Sequence, residues 1–181
     1  MKNLNVRDLV FAFTLSVAFV GAGTATAMGD GGGSSSDQTS QKCKTGQVWS
    51  KAKKKCVKAN SGIVPDQDLY EAGRALALAG KYDWAIEVLN AVRNQHDPGV
   101  LNYLGYAHRK AGMIEAGIAY YQQALAIDPD YVLVREYLGE GYVAAGKVEL
   151  ARQQLKEIAA RCGTNCEEYQ QLAEVIAAAQ I

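Results

Sequence analysis

Glycine recurs at a nearly constant period through the later part of this chain. Three glycines lie 32 and then 34 residues apart: Gly73, Gly105 and Gly139. Three more keep the same spacing: Gly80, Gly112 and Gly146. A third class of small residues follows five positions later in each unit: Ala85, Gly117 and Ala151. Agreement among three independent positions predicts a repeat architecture, in which each unit packs against its neighbours.

The period divides this part of the chain into three units, residues 66–97, 98–131 and 132–165. Each unit has a stretch with apolar residues at helical spacing, then a glycine, then a second such stretch, which predicts a helical hairpin. One hairpin cannot bury its apolar face alone, so about three units are needed to form a core. We therefore predict an all-α domain over residues 66–181.

The middle unit carries the most complete motif, PGVLNYLGYAHRKAGMIEAGIAYYQQALAIDP. Its apolar and small residues, with the closing Asp128-Pro129, stand where the tetratricopeptide repeat places them, and the unit closely resembles that family. The resemblance implies an α-solenoid of helical hairpins. The first unit departs from the motif because its closing proline is displaced to Pro98, and the third unit lacks one. Gly117 stands where the family usually has alanine, which predicts looser helix packing in the middle unit.

The last hairpin needs a cover for its apolar face, and residues 167–180 can provide one. The segment EEYQQLAEVIAAAQ has Tyr169, Leu172 and Ile176 at helical spacing. Thr164 and Glu167 fit a capping box that would start this helix. The expected fold is all-α: a tetratricopeptide-repeat solenoid of three helical hairpins with a C-terminal capping helix, preceded by a small disulfide-bonded module.

The resemblance also implies a ligand groove, because the first helix of each tetratricopeptide hairpin lines the concave face of the solenoid. The family's groove positions fall here on Tyr70, Arg74, Leu78, Asn102, Tyr106, Arg109, Lys110, Glu136, Glu140 and Val143. The first two units supply positive and aromatic groups and the third supplies acids. A protein segment with both an acidic and a basic patch would fit such a groove. Solvated helix faces without a ligand are the alternative interpretation.

One subfamily of co-chaperones with this fold clamps a C-terminal carboxylate through a Lys and Asn pair on its first helix. In this chain those positions hold Tyr70 and Arg74, and a later lysine position holds Leu133. We therefore do not expect this groove to capture that C-terminal motif.

The first 27 residues have the features of a secretory signal peptide. Lys2 and Arg7 precede the apolar stretch LVFAFTLSVAFV, and Ala25-Thr26-Ala27 forms a small-x-small cleavage pattern. The apolar stretch is shorter than the roughly 20 residues of a membrane-spanning helix. We expect export, to the periplasm rather than the medium, and no membrane anchor after cleavage. Residues 28–41, rich in glycine and serine, are typical of a flexible linker.

Four cysteines in an exported chain favour disulfides. Of the three pairings available, we expect the local one, Cys43 with Cys56 and Cys162 with Cys166. The first bridge would hold together a module, residues 42–58, that has too few bulky apolar residues to fold by packing. The spacings do not suit a structural zinc site or a Cys-x-x-Cys redox centre. We expect neither a metal nor a cofactor.

The module is strongly basic: residues 42–58 contain seven lysines and no acid, whereas residues 59–181 contain ten Lys or Arg against sixteen Asp or Glu. Its basic patch consists of Trp49, Lys51, Lys53, Lys54 and Lys55. Such a patch would attract anionic lipid or wall polymer, less strongly as salt rises. The C-x-x-G-x-V-W pattern also resembles the hairpins of extracellular chitin-binding modules. A merely solubilising surface with Trp49 as its only core, or a module folded back over the groove, are the other interpretations. Residues 59–65 would connect it to the repeats.

The sequence gives no support for a catalytic site. The chain has two histidines, and residues 66–181 contain no serine, so no serine triad can be built there. We predict an exported protein-binding adaptor with no enzyme activity and no nucleic-acid partner. The alternative is an envelope-tethering protein that binds anionic components through its lysine-rich module.

Overall fold

The computed structural model describes residues 43–179, which form a β-hairpin followed by seven α-helices. The signal peptide expected over residues 1–27 and the linker expected over residues 28–41 lie outside this range. The hairpin consists of β1 (Gln47–Ser50) and β2 (Lys55–Lys58), and a 3-10 turn, Ala59–Ser61, follows it.

Six helices form three consecutive hairpins. They are α1 (Asp66–Leu78) with α2 (Tyr82–Asn90), α3 (Pro98–Lys110) with α4 (Ile114–Ile127), and α5 (Val132–Ala144) with α6 (Val148–Cys162). The seventh helix, α7 (Glu167–Ala178), packs against both α5 and α6. The predicted fold class is confirmed: three helical hairpins, a C-terminal capping helix and a disulfide-bonded N-terminal module.

The glycine in each hairpin turn is required by its backbone conformation. The three turns have φ values of 74°, 88° and 73°, at Gly80, Gly112 and Gly146. This left-handed region is costly for a residue with a Cβ. In the first turn the Gly80 N–H donates to the Ala77 carbonyl and the Lys81 N–H donates to the Leu76 carbonyl. These two bonds form a Schellman motif, and the same pair closes α3 and α5.

The other periodic glycines let the helices of a hairpin approach closely. A Cβ on Gly73 would lie 2.5 Å from Leu89 Cγ, and a Cβ on Gly105 would lie 2.7 Å from Tyr121 Cε1. In the first two hairpins a large side chain of the second helix therefore occupies the space above the glycine of the first helix.

The third hairpin differs, because α7 occupies that space. A Cβ on Gly139 would lie 2.5 Å from Leu172 Cδ2, and Leu172 is 0% exposed. A disulfide between Cys162 and Cys166 joins the end of α6 to the residue before α7. The capping helix thus packs directly on α5 as well as on α6.

The capping box predicted at the start of α7 is wrong. The residue that caps the helix is Cys166, whose side chain makes no capping hydrogen bond, and Thr164 lies two residues before this cap and is exposed. The disulfide holds Cys166 at the helix start, which displaces the expected cap by two residues.

Gly117 does not loosen the middle hairpin, contrary to the prediction from its departure from the family motif. A Cβ at this position would lie 2.8 Å from the Gly105 carbonyl oxygen and 2.8 Å from Arg109 Cβ. The absence of a side chain therefore lets α4 lie close against α3 at a point where alanine would overlap with backbone.

We expect Gly117→Ala to destabilise the chain by about 1–3 kcal/mol, because overpacking against backbone outweighs the gain in helix propensity. The measurement is urea unfolding followed by circular dichroism. Gly141→Ala is the matched control, since its Cβ would meet only side-chain atoms, the nearest being Ile118 Cγ1 at 3.1 Å. Equal stability of the two variants would contradict the close approach at Gly117.

The N-terminal module is an antiparallel β-hairpin closed by the Cys43–Cys56 disulfide. Its strands pair Val48 with Val57 and Trp49 with Cys56. A bridge that closes a loop of this size stabilises a fold by roughly 3 kcal/mol in the chain-entropy argument.

The hairpin packs against the first pair of helices. Val48 is 1% exposed and belongs to the same core as Trp84 of α2. The Trp84 indole Nε1 donates a hydrogen bond of 3.1 Å to the Gln47 carbonyl. The alternative interpretation with Trp49 as the module's only core is wrong, because Val48 and Cys43 are buried while Trp49 is half-buried. Val64, in the segment predicted as a connector, is buried in the same core.

The contacts of the module with α1 fall outside the predicted groove. Lys51 Nζ lies 2.8 Å from Asp68 Oδ1 and 3.5 Å from Glu71 Oε2. Neither acid is a predicted groove residue. Within residues 43–179, no helix combines the length and apolar character needed to cross a membrane.

Candidate ligand-binding face

The ten positions predicted to line a groove lie on α1, α3 and α5, and we call the surface that carries them the groove face. Their side chains differ in exposure. The exposed members are Arg74, Leu78 and Lys110. The half-buried members are Tyr70, Tyr106, Glu140 and Val143. The buried members are Asn102, Arg109 and Glu136.

A row of tyrosine rings runs along the groove face. The ring centroids of Tyr70 and Tyr103 are 6.0 Å apart, and those of Tyr103 and Tyr106 are 6.5 Å apart. Tyr137 continues the row at 5.3 Å from Tyr106. The rings meet edge-on or tilted, which stabilises each pair by about 0.5–1.5 kcal/mol beyond burial. The row therefore links the first helices of all three hairpins.

Arg109 packs against this row of rings and is bonded to other side chains inside the fold. It is 8% exposed, its Nη2 lies 2.5 Å from Glu140 Oε2, and its Nε donates to the Tyr121 hydroxyl at 3.4 Å. Its guanidinium carbon lies 5.8 Å from the ring centroid of Tyr106 and 5.7 Å from that of Tyr137. The side chain is thus enclosed by α3, α4 and α5 and holds the second and third hairpins together.

Arg74 and Lys110 are the accessible cations of the groove face. Arg74 Nε donates to the Tyr103 hydroxyl at 2.8 Å, and its guanidinium carbon lies 5.4 Å from the centre of that ring. Lys110 Nζ lies 5.6 Å from the ring centroid of Tyr106. Cations at such distances are attracted by the ring face, by about 0.5–1 kcal/mol at exposed sites.

Glu136 is 1% exposed, and its Oε1 has no hydrogen-bond partner within residues 43–179. The pKa of this carboxyl is raised to about 8, chiefly by burial and then by the charges of Glu140, Glu168 and Glu167. Glu136 is therefore largely protonated at neutral pH and adds little negative charge to the groove face. Asn102 is also fully buried, and neither side-chain polar atom has a partner in the described part of the chain.

The predicted division of the groove into a positive and a negative half thus changes in the structure. Glu136 is buried and Glu140 is bonded to Arg109, so the acids of α5 offer little charge to a ligand. Arg74 and Lys110 remain exposed, which gives the accessible part of the groove face a positive charge.

Sequence reasoning did not assign Tyr103 and Tyr137 to the groove, although both belong to the aromatic row. A signal was present, because the two residues are separated by 34 positions and so occupy the same place in the second and third units. Burial raises the pKa of Tyr70 to about 12, so its hydroxyl stays protonated near neutral pH.

The lysine-rich module presents its own basic surface. Lys51 is bound to α1, but Lys53, Lys54 and Lys55 are exposed at and beside the tip of the hairpin. A cleft of about 890 Å³ lies between the module and the turn that joins α1 to α2. Its lining includes Lys44, Lys81, Tyr82 and Trp84.

One group of potential metal ligands lies in the described residues, formed by Cys162, Cys166 and Glu168, whose ligand atoms are within 4.8 Å of one another. The two sulfur atoms are joined in a disulfide and offer no thiolate to a metal. We therefore assign no metal to this group.

A family model matches part of the helical region. The tetratricopeptide repeat family model matches residues 108–176. No curated protein sequence matches the chain significantly.

Several solved structures share the fold. The crystal structure of MamA is 21% identical with a TM-score of 0.55, and the match covers 62% of this chain and 67% of MamA. MamA 41-end from Desulfovibrio magneticus RS-1 is 25% identical with a TM-score of 0.50, over 52% of this chain and 54% of that one. The first TPR of Spaghetti (RPAP3), solved with the HSP90 peptide SRMEEVD, is 19% identical with a TM-score of 0.55, over 64% of this chain and 94% of that one.

Proposed function

We propose that this chain is an exported adaptor that binds protein segments on its groove face. The proposal is supported by the match of residues 108–176 to the tetratricopeptide repeat family model and by the fold that the hairpins share with solved structures. The observation that carries the proposal is the row of tyrosine rings flanked by the exposed cations Arg74 and Lys110. Aromatic and cationic side chains on a rigid surface are typical of protein-binding sites. The RPAP3 repeats, which share the fold, bind an HSP90 peptide.

Export and a periplasmic location rest on two features of the sequence. Residues 1–27 have the signal-peptide pattern, and the two disulfides suit an oxidising compartment. The tetratricopeptide repeats supply a scaffold for protein contacts, and the proposed role includes no catalysis.

The lysine-rich module supports a second candidate function, tethering to an anionic envelope component. Lys53, Lys54 and Lys55 are exposed on the hairpin that the Cys43–Cys56 disulfide closes. In this case the repeats would act mainly as a spacer.

A photoreactive residue at position 106 should cross-link a bound protein segment, and the same residue at the exposed Gln153 of α6 should not. With a partner identified in this way, Tyr106→Ala combined with Arg74→Ala should weaken its binding at least about tenfold, since aromatic and arginine anchors dominate such contacts. The triple change of Lys53, Lys54 and Lys55 to Gln should leave that binding intact. Unchanged affinity of the groove variant would show that the groove face is not the site, and a loss confined to the lysine variant would favour tethering.

A further inference from the structure

The groove face carries cations that the rest of the fold leaves unpaired. Five arginines in residues 43–179 have a carboxylate within ion-pair distance: Arg93, Arg109, Arg135, Arg152 and Arg161. Arg74 is the one arginine of this range without such a partner, and it donates instead to the neutral hydroxyl of Tyr103. Lys110 also has no carboxylate partner within these residues and lies over the ring of Tyr106.

The two cations belong to a single continuous surface. Arg74 contacts Tyr103, Lys110 contacts Tyr106, and the two rings are 6.5 Å apart. Tyr103 is 5% exposed whereas Tyr106 is half-buried, so Tyr106 is the accessible ring of this pair. An extended segment can place an apolar or aromatic side chain against Tyr106 and acids, two residues apart along one side of the segment, against the cations.

The acids beside this surface are engaged within the fold. Glu140 is bonded to Arg109, and Glu136 is enclosed beneath the surface. Asp97, near Tyr70, caps the start of α3 by accepting hydrogen bonds from two backbone amides. Positive charge therefore remains for a ligand on α1 and α3, whereas the start of α7, with Glu167 and Glu168, is acidic.

On the basis of the proposed function, we propose that the groove face selects acidic protein segments, whose carboxylates pair with Arg74 and Lys110 along the tyrosine row. Charge complementarity of this kind sets which partner is accepted and how fast it associates. The segment is internal rather than C-terminal, because the positions that would clamp a terminal carboxylate hold Tyr70 and Arg74 instead of a Lys and Asn pair.

The test uses the full mature chain and three labelled ten-residue peptides that alternate polar and apolar residues. The polar positions hold Glu, Gln or Lys, which gives an acidic, a neutral and a basic peptide. The Glu peptide is made with a free and with an amidated C-terminus. Fluorescence anisotropy at low salt should show the Glu peptide binding at least about tenfold more tightly than the Lys peptide. Amidation of the Glu peptide should not change its affinity, and added salt should weaken its binding.

Two double variants separate the groove cations from net charge. Arg74→Gln with Lys110→Gln should weaken binding of the Glu peptide at least about tenfold, because two charge pairs with the peptide are lost. Arg152→Gln with Lys156→Gln removes the same charge from exposed positions of α6 and should change the affinity less than about twofold, since distant exposed charges are screened. Arg74→Glu with Lys110→Glu should bind the Lys peptide in preference.

The inference would be overturned if the Gln or Lys peptide bound as tightly as the Glu peptide or more tightly. It would also be overturned if the α6 variant weakened binding of the Glu peptide as much as the groove variant does. Loss of binding on amidation would also overturn it, in favour of a terminal-carboxylate site. These failures are distinct from failure of the proposed function. That function fails if position 106 cross-links nothing, whereas the inference alone fails if the cross-linked segment proves to be basic or neutral.

Discussion

A Leu172→Ala variant should lose about 3 kcal/mol of unfolding free energy, with a range of about 2–5 kcal/mol for leucines of this kind. Leu172 is fully buried, and its methyl groups lie against Gly139, which has no side chain to move into the cavity that alanine would leave. The loss should be concentrated in the third hairpin, because Leu172 packs on Gly139 of α5 and its buried cluster contains no residue of α1 or α2.

Hydrogen exchange of the full chain would test this expectation, together with urea unfolding. Terminal units of a repeat protein can open separately, so faster exchange is expected in α5, α6 and α7 and not in α1 or α2. Gln170→Ala on the exposed side of α7 is the matched control and should leave both measurements nearly unchanged. A loss below about 1 kcal/mol for Leu172→Ala would mean that α7 is not part of the core.

The hairpins and their turns could be predicted from the sequence because their determinants are local. Gly80 is needed for one left-handed residue, and a Schellman motif depends only on residues within a few positions. The disulfide pairing was predictable for the same reason, since Cys43 and Cys56 close a short loop. These features repeat or lie close together, so the pattern of residues alone identifies them.

The contacts between distant segments could not be predicted. The repeat period makes Leu155 of α6 the counterpart of Tyr121, which lies over the glycine of its own unit. The side chain found against Gly139 is instead Leu172 of α7, which lies outside the repeated motif. The groove positions taken from the family resemblance likewise include Glu136 as a residue open to a ligand. Its burial depends on the neighbours that pack around α5. Val48 of the module is buried only because α2 provides the surface that covers it.

The same limitation explains why the predicted charge pattern of the groove differs from the structure. The sequence shows that α5 carries acids, but it does not show which of them will be bonded or enclosed. Arg109 was assigned as a ligand contact and instead pairs with Glu140 inside the fold. Gly117 of α4 and Gly141 of α5 leave space for the Arg109 side chain. The sequence does not show this role, because it becomes apparent only when α4 and α5 pack against α3.

Glu136→Gln should remove most of a pH dependence of stability that the parent chain shows between about pH 4.5 and pH 8. The pKa of Glu136 is raised from 4.5 to about 8 in the fold, mainly by burial. Within this window the folded chain holds a proton that the unfolded chain has released, so the free energy of unfolding falls as the pH rises. Above pH 8 the loss is complete, and below pH 4.5 it is absent. The glutamine side chain cannot ionise and avoids this loss.

The measurement is urea unfolding of both chains at pH values from 4.5 to 8.5. The stability of Glu136→Gln relative to the parent should increase across this range by roughly 2–4 kcal/mol, the equivalent of a shift of this size for one buried group. Any constant difference from the hydrogen bonds of the new amide appears at every pH and does not alter the slope. Glu174→Gln, an exposed change on α7, should leave the pH profile parallel to that of the parent. Parallel profiles for Glu136→Gln would show that Glu136 is ionised in the folded chain.

The protonation of Glu136 also bears on what the groove face can bind. An ionised carboxylate at this place would add negative charge beside Glu140 and reduce the attraction of acidic segments to Arg74 and Lys110. Binding of the Glu peptide should therefore weaken as the pH rises through 8, and this weakening should be absent in Glu136→Gln. A common fall in both chains would assign the effect to another group and leave Glu136 with a role in stability alone.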